Sequence, residues 1–165
     1  MAITLDVTVG GASSDSYASY AEAVAYVAKR LNTDNWDDAS ADERAQALIM
    51  ATRRLDQEQW TSEKASSAQA LKWPRWDAAD EDGNSVGSDT IPQAIKDAQC
   101  ELALAMLDSD LTVDTGLEGF DEVGLGPLSV TVRHQKKAGE LPEDVYREIR
   151  HYLRHGRGQV RLMKA

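Results

Sequence analysis

One cysteine in 165 residues, Cys100, leaves no partner for an internal disulfide, and its place in an apolar helical pattern reads as a packed small hydrophobe. Phenylalanine also occurs only once, and alanine supplies much of the 42% apolar share, which favours close helix packing over a large sheet sandwich. No run approaches the roughly 20 apolar residues that span a bilayer, and the first residues lack a basic segment followed by an apolar stretch. The expectation is a soluble protein without a cleaved export signal.

Chemical motifs are missing as well. The chain has no Walker phosphate loop, dinucleotide fingerprint, G-x-S-x-G elbow or paired CxxC. Gly124-Leu-Gly126-Pro has too few glycines to cradle phosphates and leads into a strand pattern. His151 and His155 have the spacing of a zinc pair, but HYLRH lacks the glutamate that would polarise a bound water, and its arginines oppose a cation. The acidic stretch Asp80-Glu-Asp-Gly-Asn-Ser lacks the alternating ligands of a calcium loop and reads as a solvated turn. No catalytic residue, cofactor or metal is therefore expected, and the chain does not read as an enzyme.

What is abundant is acid. The formal charge is -10, yet residues 1–110 hold 9 Lys/Arg against 20 Asp/Glu, while residues 145–165 hold six basic residues and one acid. An acidic body repels nucleic acid in general, so the basic end is expected to meet an acidic partner, which can be a protein.

Periodicity predicts a mainly α fold: a small helical bundle with a short β-hairpin or loop insertion, a C-terminal helix and an extended tail. Residues 1–15 read as an N-terminal arm or strand, 16–110 as the helical core, 111–140 as a glycine-rich loop and β-hairpin, and 141–165 as a basic helix and tail. Capping boxes at Ser19/Glu22 and Ser40/Glu43 start two helices. The first should run from 19 to 31 with Tyr20, Val24, Val27 and Leu31 on one side, and the second carries Ala45, Leu48, Ile49, Thr52 and Leu55 toward Trp60. Arg44, Arg53 and Arg54 read as a solvated or intersubunit face. Pro92 opens the most apolar helix, where Ile95, Leu102 and Met106 are core candidates, joined by Trp73, which Pro74 holds extended. Leu128, Val130 and Val132 alternate as a strand does.

Ser16-Tyr17 through Ala23, Trp73-Pro74-Arg75, the strand entry at Gly126 to Val130 and above all Ile91-Pro-Gln-Ala-Ile-Lys-Asp-Ala-Gln-Cys-Glu-Leu-Ala-Leu-Ala105 resemble a phage protein family. Its members are described either as head-tail connector or adaptor proteins or as DnaT-like single-stranded-DNA-binding proteins. The adaptor side of the resemblance implies a ring, commonly twelvefold, beneath the portal protein at the head-tail interface of the virion. Packaged double-stranded DNA would pass through it, and a stopper, tail-terminator or tail protein would lie below. Assembly would take place in the host cytoplasm. A C-terminal docking role then points to Arg147, Arg150, Arg154, Arg157 and Arg161 as a basic stripe, with Ile149, Tyr152 and Leu153 as an apolar side for insertion at the portal. The alternative is a single-stranded-DNA-binding module in which tryptophans stack on bases. Trp36, Trp60, Trp73 and Trp76 do not read as interleaved with Lys/Arg like an electrostatic funnel, so core and interface anchors are the simpler expectation.

Overall fold

The computed structural model describes residues 2–108, 122–125, 128–131 and 141–154, the two short middle runs by backbone alone. The fold is mainly α with small β insertions, in the order α1 (Tyr20–Val27), α2 (Asp34–Asp38), α3 (Ala41–Leu55), β1 (Glu63–Lys64), β2 (Arg75–Trp76), β3 (Ala78–Ala79), β4 (Ser85–Val86), α4 (Gln93–Asp108), β5 (Glu122–Leu125), β6 (Leu128–Thr131), α5 (Glu143–Ile149) and a closing 3-10 turn, Arg150–Tyr152.

Both capping boxes form. Ser19 Oγ accepts the Glu22 N–H at 3.2 Å while the Glu22 carboxylate accepts the Ser19 N–H at 2.7 Å, and Ser40 and Glu43 repeat this at 3.3 and 2.8 Å. Each box satisfies two amides that a helix start would otherwise leave unpaired.

Helix α4 is the centre. It packs against α3 and α5 and, less extensively, against α1 and α2. Ile95, Ala98, Cys100, Leu102 and Ala103 are buried along it, and Met106 is partly buried against the same core. Leu48, Ala51 and Leu55 come in from α3, Val145 and Ile149 from α5, and Leu141 from two residues before α5. Each fully buried Leu or Ile contributes about 1.5–3 kcal/mol relative to exposure.

Two sequence expectations change, and of the two alternatives held open for the N-terminus one is observed. The N-terminal residues form no strand: the arm runs extended, tied by the Ile3 N–H to Asp42 (2.9 Å) and by the Asp6 N–H to the Asp15 carboxylate (2.8 Å), with Leu5 packed on the core. Helix α1 stops at Val27 rather than 31, because the Lys29 and Arg30 amides turn back to carbonyls three residues earlier and Asn32 takes a φ of +59°. Leu31 is consequently 82% exposed, and Val24 also lies outward. Finally, residues 61–88 contain two small antiparallel ladders, β1 with β2 and β3 with β4, where no strand was expected.

Pairing of β5 with β6 gives the third ladder, with Val123 opposite Val130 and Leu125 opposite Leu128. Most of the glycine-rich loop, Val132, His134 and the tail from His155 lie outside the described residues. Among the described residues no helix is long and apolar enough to cross a membrane.

Candidate functional site: the Lys72–Trp76 ladder and the end of the last helix

The segment Lys72-Trp-Pro-Arg-Trp76 is exposed at its two ends and buried at the three residues between them. Trp73 points inward and is buried, its ring meeting Trp60 edge-on at 5.7 Å and Tyr152 at 5.1 Å between centroids. Such edge-to-face pairs add about 0.5–1.5 kcal/mol beyond their burial. The Trp73-Pro74 bond is cis. Arg75 is also buried, and its guanidinium donates to three backbone carbonyls, those of Thr61 (2.6 Å), Ser62 (2.6 Å) and Lys72 (2.9 Å). Burial pulls its pKa below the usual arginine value, as does the nearby charge of Arg154.

Trp76 is different. Its ring is 54% exposed, against 2% for Trp36, 4% for Trp60 and 1% for Trp73. It is nevertheless fixed, because Nε1–H donates to the Ala65 carbonyl at 2.9 Å and the residue pairs across the ladder with Glu63. Lys64 pairs with Arg75 in the same ladder, and Lys72 is exposed just before it. The far end of the chain arrives here too. Trp60 and Leu153 form a β-bridge, the Thr61 N–H reaches the Tyr152 carbonyl at 2.8 Å, and the Arg154 N–H reaches that of Gln59 at 2.7 Å.

That docking takes up the apolar side of the expected portal arm within the chain itself. Ile149, Tyr152 and Leu153 are buried in the chain's own core, so they present no apolar side to another protein. The reason is packing: α5 lies on α4, and the 3-10 turn is sewn to residues 59–61. Arg147, Arg150 and Arg154 are exposed, the first beside Glu143 (3.2 Å) and the second beside Glu81 (3.6 Å). Exposed pairs of this kind hold a side chain only weakly. Arg157 and Arg161 lie outside the described residues. Of the core candidates, Trp73, Ile95 and Leu102 are buried and Met106 partly so.

Beneath the ladder lies a polar framework that sequence reading did not find. Gln99, fully buried on α4, accepts the Tyr17 and Ala18 amides at 3.1 and 2.8 Å and donates to Ser16 Oγ and the Leu48 carbonyl at 2.7 and 3.0 Å. All four of its hydrogen-bonding positions are used. Tyr17 donates its hydroxyl to Asp56, whose carboxylate also takes the Lys72 N–H. Burial, and then the facing Asp56 charge, raise the Tyr17 pKa well above its ordinary value, while burial raises that of Asp56 against the opposing pull of the Tyr17 hydrogen bond.

Elsewhere the chemistry is quiet. Burial pushes the Cys100 thiol up to about 12. Asp80 accepts from Asn84 and the Asp82 amide within its own turn, which holds its carboxyl below the usual range. Among the described residues no three His, Cys, Asp or Glu side chains are grouped to hold a metal ion. Arg44, expected on an open face, instead donates to the Trp36 and Asp37 carbonyls at 2.7 and 2.9 Å and lies 5.5 Å from the Trp36 ring. The exposed indole was not legible: the sequence reading took all four tryptophans as anchors, and only the ladder shows that Trp76 faces out.

Comparison with curated proteins yields no match, and comparison with solved structures yields none. One family profile matches residues 1–165, and the chain belongs to that family, whose description is "Putative DnaT-like ssDNA binding protein".

Proposed function

We propose that the protein is a non-catalytic assembly subunit, and specifically a head-tail adaptor that forms a ring beneath a phage portal and leaves a channel for DNA. The support is the resemblance centred on residues 91–105 together with one structural observation, the way the body spends its side chains. Three of four indoles are internal, Arg44 and Arg75 are committed to backbone carbonyls, and Arg30 and Lys96 are paired with Glu101 and Glu22 at 2.5 and 2.6 Å. Asp34, Asp37 and Asp38 meanwhile stand exposed on α2. An acidic wall repels a passing polyanion instead of gripping it. The exposed Arg147, Arg150 and Arg154 are the residues offered to an acidic portal surface, by charge alone and without the apolar insertion that the sequence suggested. Co-sedimentation with portal particles, followed by imaging, tests this. Closed rings seated on portals are expected, and the triple change of these arginines to glutamate should weaken attachment while leaving the circular dichroism spectrum unchanged. A chain that leaves portals bare and instead saturates with oligonucleotide overturns the reading.

The second reading is single-stranded-DNA binding. The family description favours it, and the comparisons give the adaptor role no corresponding support. Its structural argument is the exposed ring of Trp76 beside cations, and fluorescence anisotropy of a labelled oligothymidine at low salt is its direct measurement.

A further inference from the structure

We infer that Trp76 is a stacking platform for a base of single-stranded DNA, with the adjacent phosphates drawn to the cations around the β1–β2 ladder. This inference rests on the second of the two readings above. A large aromatic ring that folding does not bury, yet holds in place by its N–H bond to Ala65, is already ordered before any ligand arrives. Stacking on it therefore costs little side-chain entropy, and every base has a face to stack. Lys72 is exposed at the start of the same segment, and the exposed Arg154, whose charge acts on Arg75, stands at a backbone position tied to Gln59, whereas the Lys64 ammonium is already committed to the Gln69 carbonyl at 2.7 Å. Cations so placed favour a polyanion over an apolar protein surface as the partner of the ring.

Two acids work against that partner. Glu63 is exposed directly opposite Trp76, and Asp77 follows it in sequence. Their charge opposes the attraction of the nearby cations and makes the affinity sensitive to a single neutralisation. Glu63→Gln should therefore bind more tightly than the natural chain.

The experiment is titration of the full chain with an oligothymidine strand, followed by intrinsic tryptophan fluorescence at several salt concentrations, with duplex of the same length as competitor. Quenching should come chiefly from the exposed indole. Trp76→Ala should lower affinity about tenfold or more, Trp76→Phe should keep part of it because a ring remains, and Lys72→Ala should reduce the salt dependence by about one phosphate contact. Unchanged circular dichroism and melting temperature in Trp76→Phe separate binding from folding. If the natural chain binds strand but Trp76→Ala and Trp76→Phe bind it equally well, the platform is wrong and the DNA-binding reading survives. If the natural chain binds no strand at low salt, both fail. Equal preference for duplex overturns the platform, and so does a Trp76→Ala variant whose sole loss is attachment to portals, which would make the ring a protein contact.

Discussion

Leu102 and Gln99 share one helix face and are both buried, but they carry opposite kinds of cost. Truncating Leu102 to alanine removes apolar contacts and leaves a cavity, so about 2–5 kcal/mol of stability should be lost in a urea series; a loss below about 0.5 kcal/mol would remove it from the core. Replacing Gln99 by leucine keeps an apolar filling of similar size yet strands the Tyr17 and Ala18 amides, each worth about 1–3 kcal/mol when left unpaired, so this change should also be severe. Tyr17 gives a pH signature. Its folded pKa is raised, so the stability it contributes is fully present below its ordinary value of 10.0 and is lost as pH rises above that value, where the unfolded phenol ionises first. Tyr17→Phe should flatten the alkaline fall in melting temperature, leaving the shares from Tyr26, Tyr152 and Cys100, which burial raises in the same direction. An alkaline limb with the same slope in both proteins would refute this.

At the scale of elements, α1 is joined to α4 by the ion pair between Glu22 and Lys96. The Lys96 hydrogen bond lowers the Glu22 pKa from 4.5 to about 2, so stability from this carboxylate is present above 4.5 and lost as pH falls toward 2. Lys96→Met should therefore show a shallower acid limb, measured as the difference in melting temperature from the natural chain. Helix α5 supplies a larger test. Because Val145, Ile149 and Tyr152 are core residues, deleting 145–165 should abolish cooperative thermal unfolding, whereas deleting 155–165 retains every contact described here for α5. A cooperative 1–144 fragment would contradict the packing. Helix existence was legible because capping boxes, Pro92 and apolar spacing are local signals. What was illegible depended on distant partners: Leu31 and Val24 fit a helical stripe that the early turn at Lys29 and Asn32 exposes. Ile149 and Leu153 resembled a free apolar side because the elements that take them in, α4 for α5 and the Trp60 bridge for Leu153, lie far away in sequence. The ladders at 61–88 are two residues per strand, too short for alternation to reveal.

The whole molecule combines an acidic body with Arg154, which the closing turn brings within reach of Arg75 in one ladder, and both proposed functions draw on that asymmetry. They differ in salt response: counterion release makes strand binding fall linearly with the logarithm of salt concentration, while portal attachment through a few guanidinium groups should decline less steeply. Measuring both over the same salt series should separate them, with a steep slope for oligonucleotide and none for portals if DNA is the true ligand. A different consequence follows from the way Gln99 grips residues 16–18, which belong to no helix or strand. Their amides are held by a side chain at the centre of α4, so they can meet solvent only when the helical core itself opens. In hydrogen-deuterium exchange, the Tyr17 and Ala18 amides should rank with the slowest in the protein, reporting its global unfolding from a stretch of chain that looks like a loop.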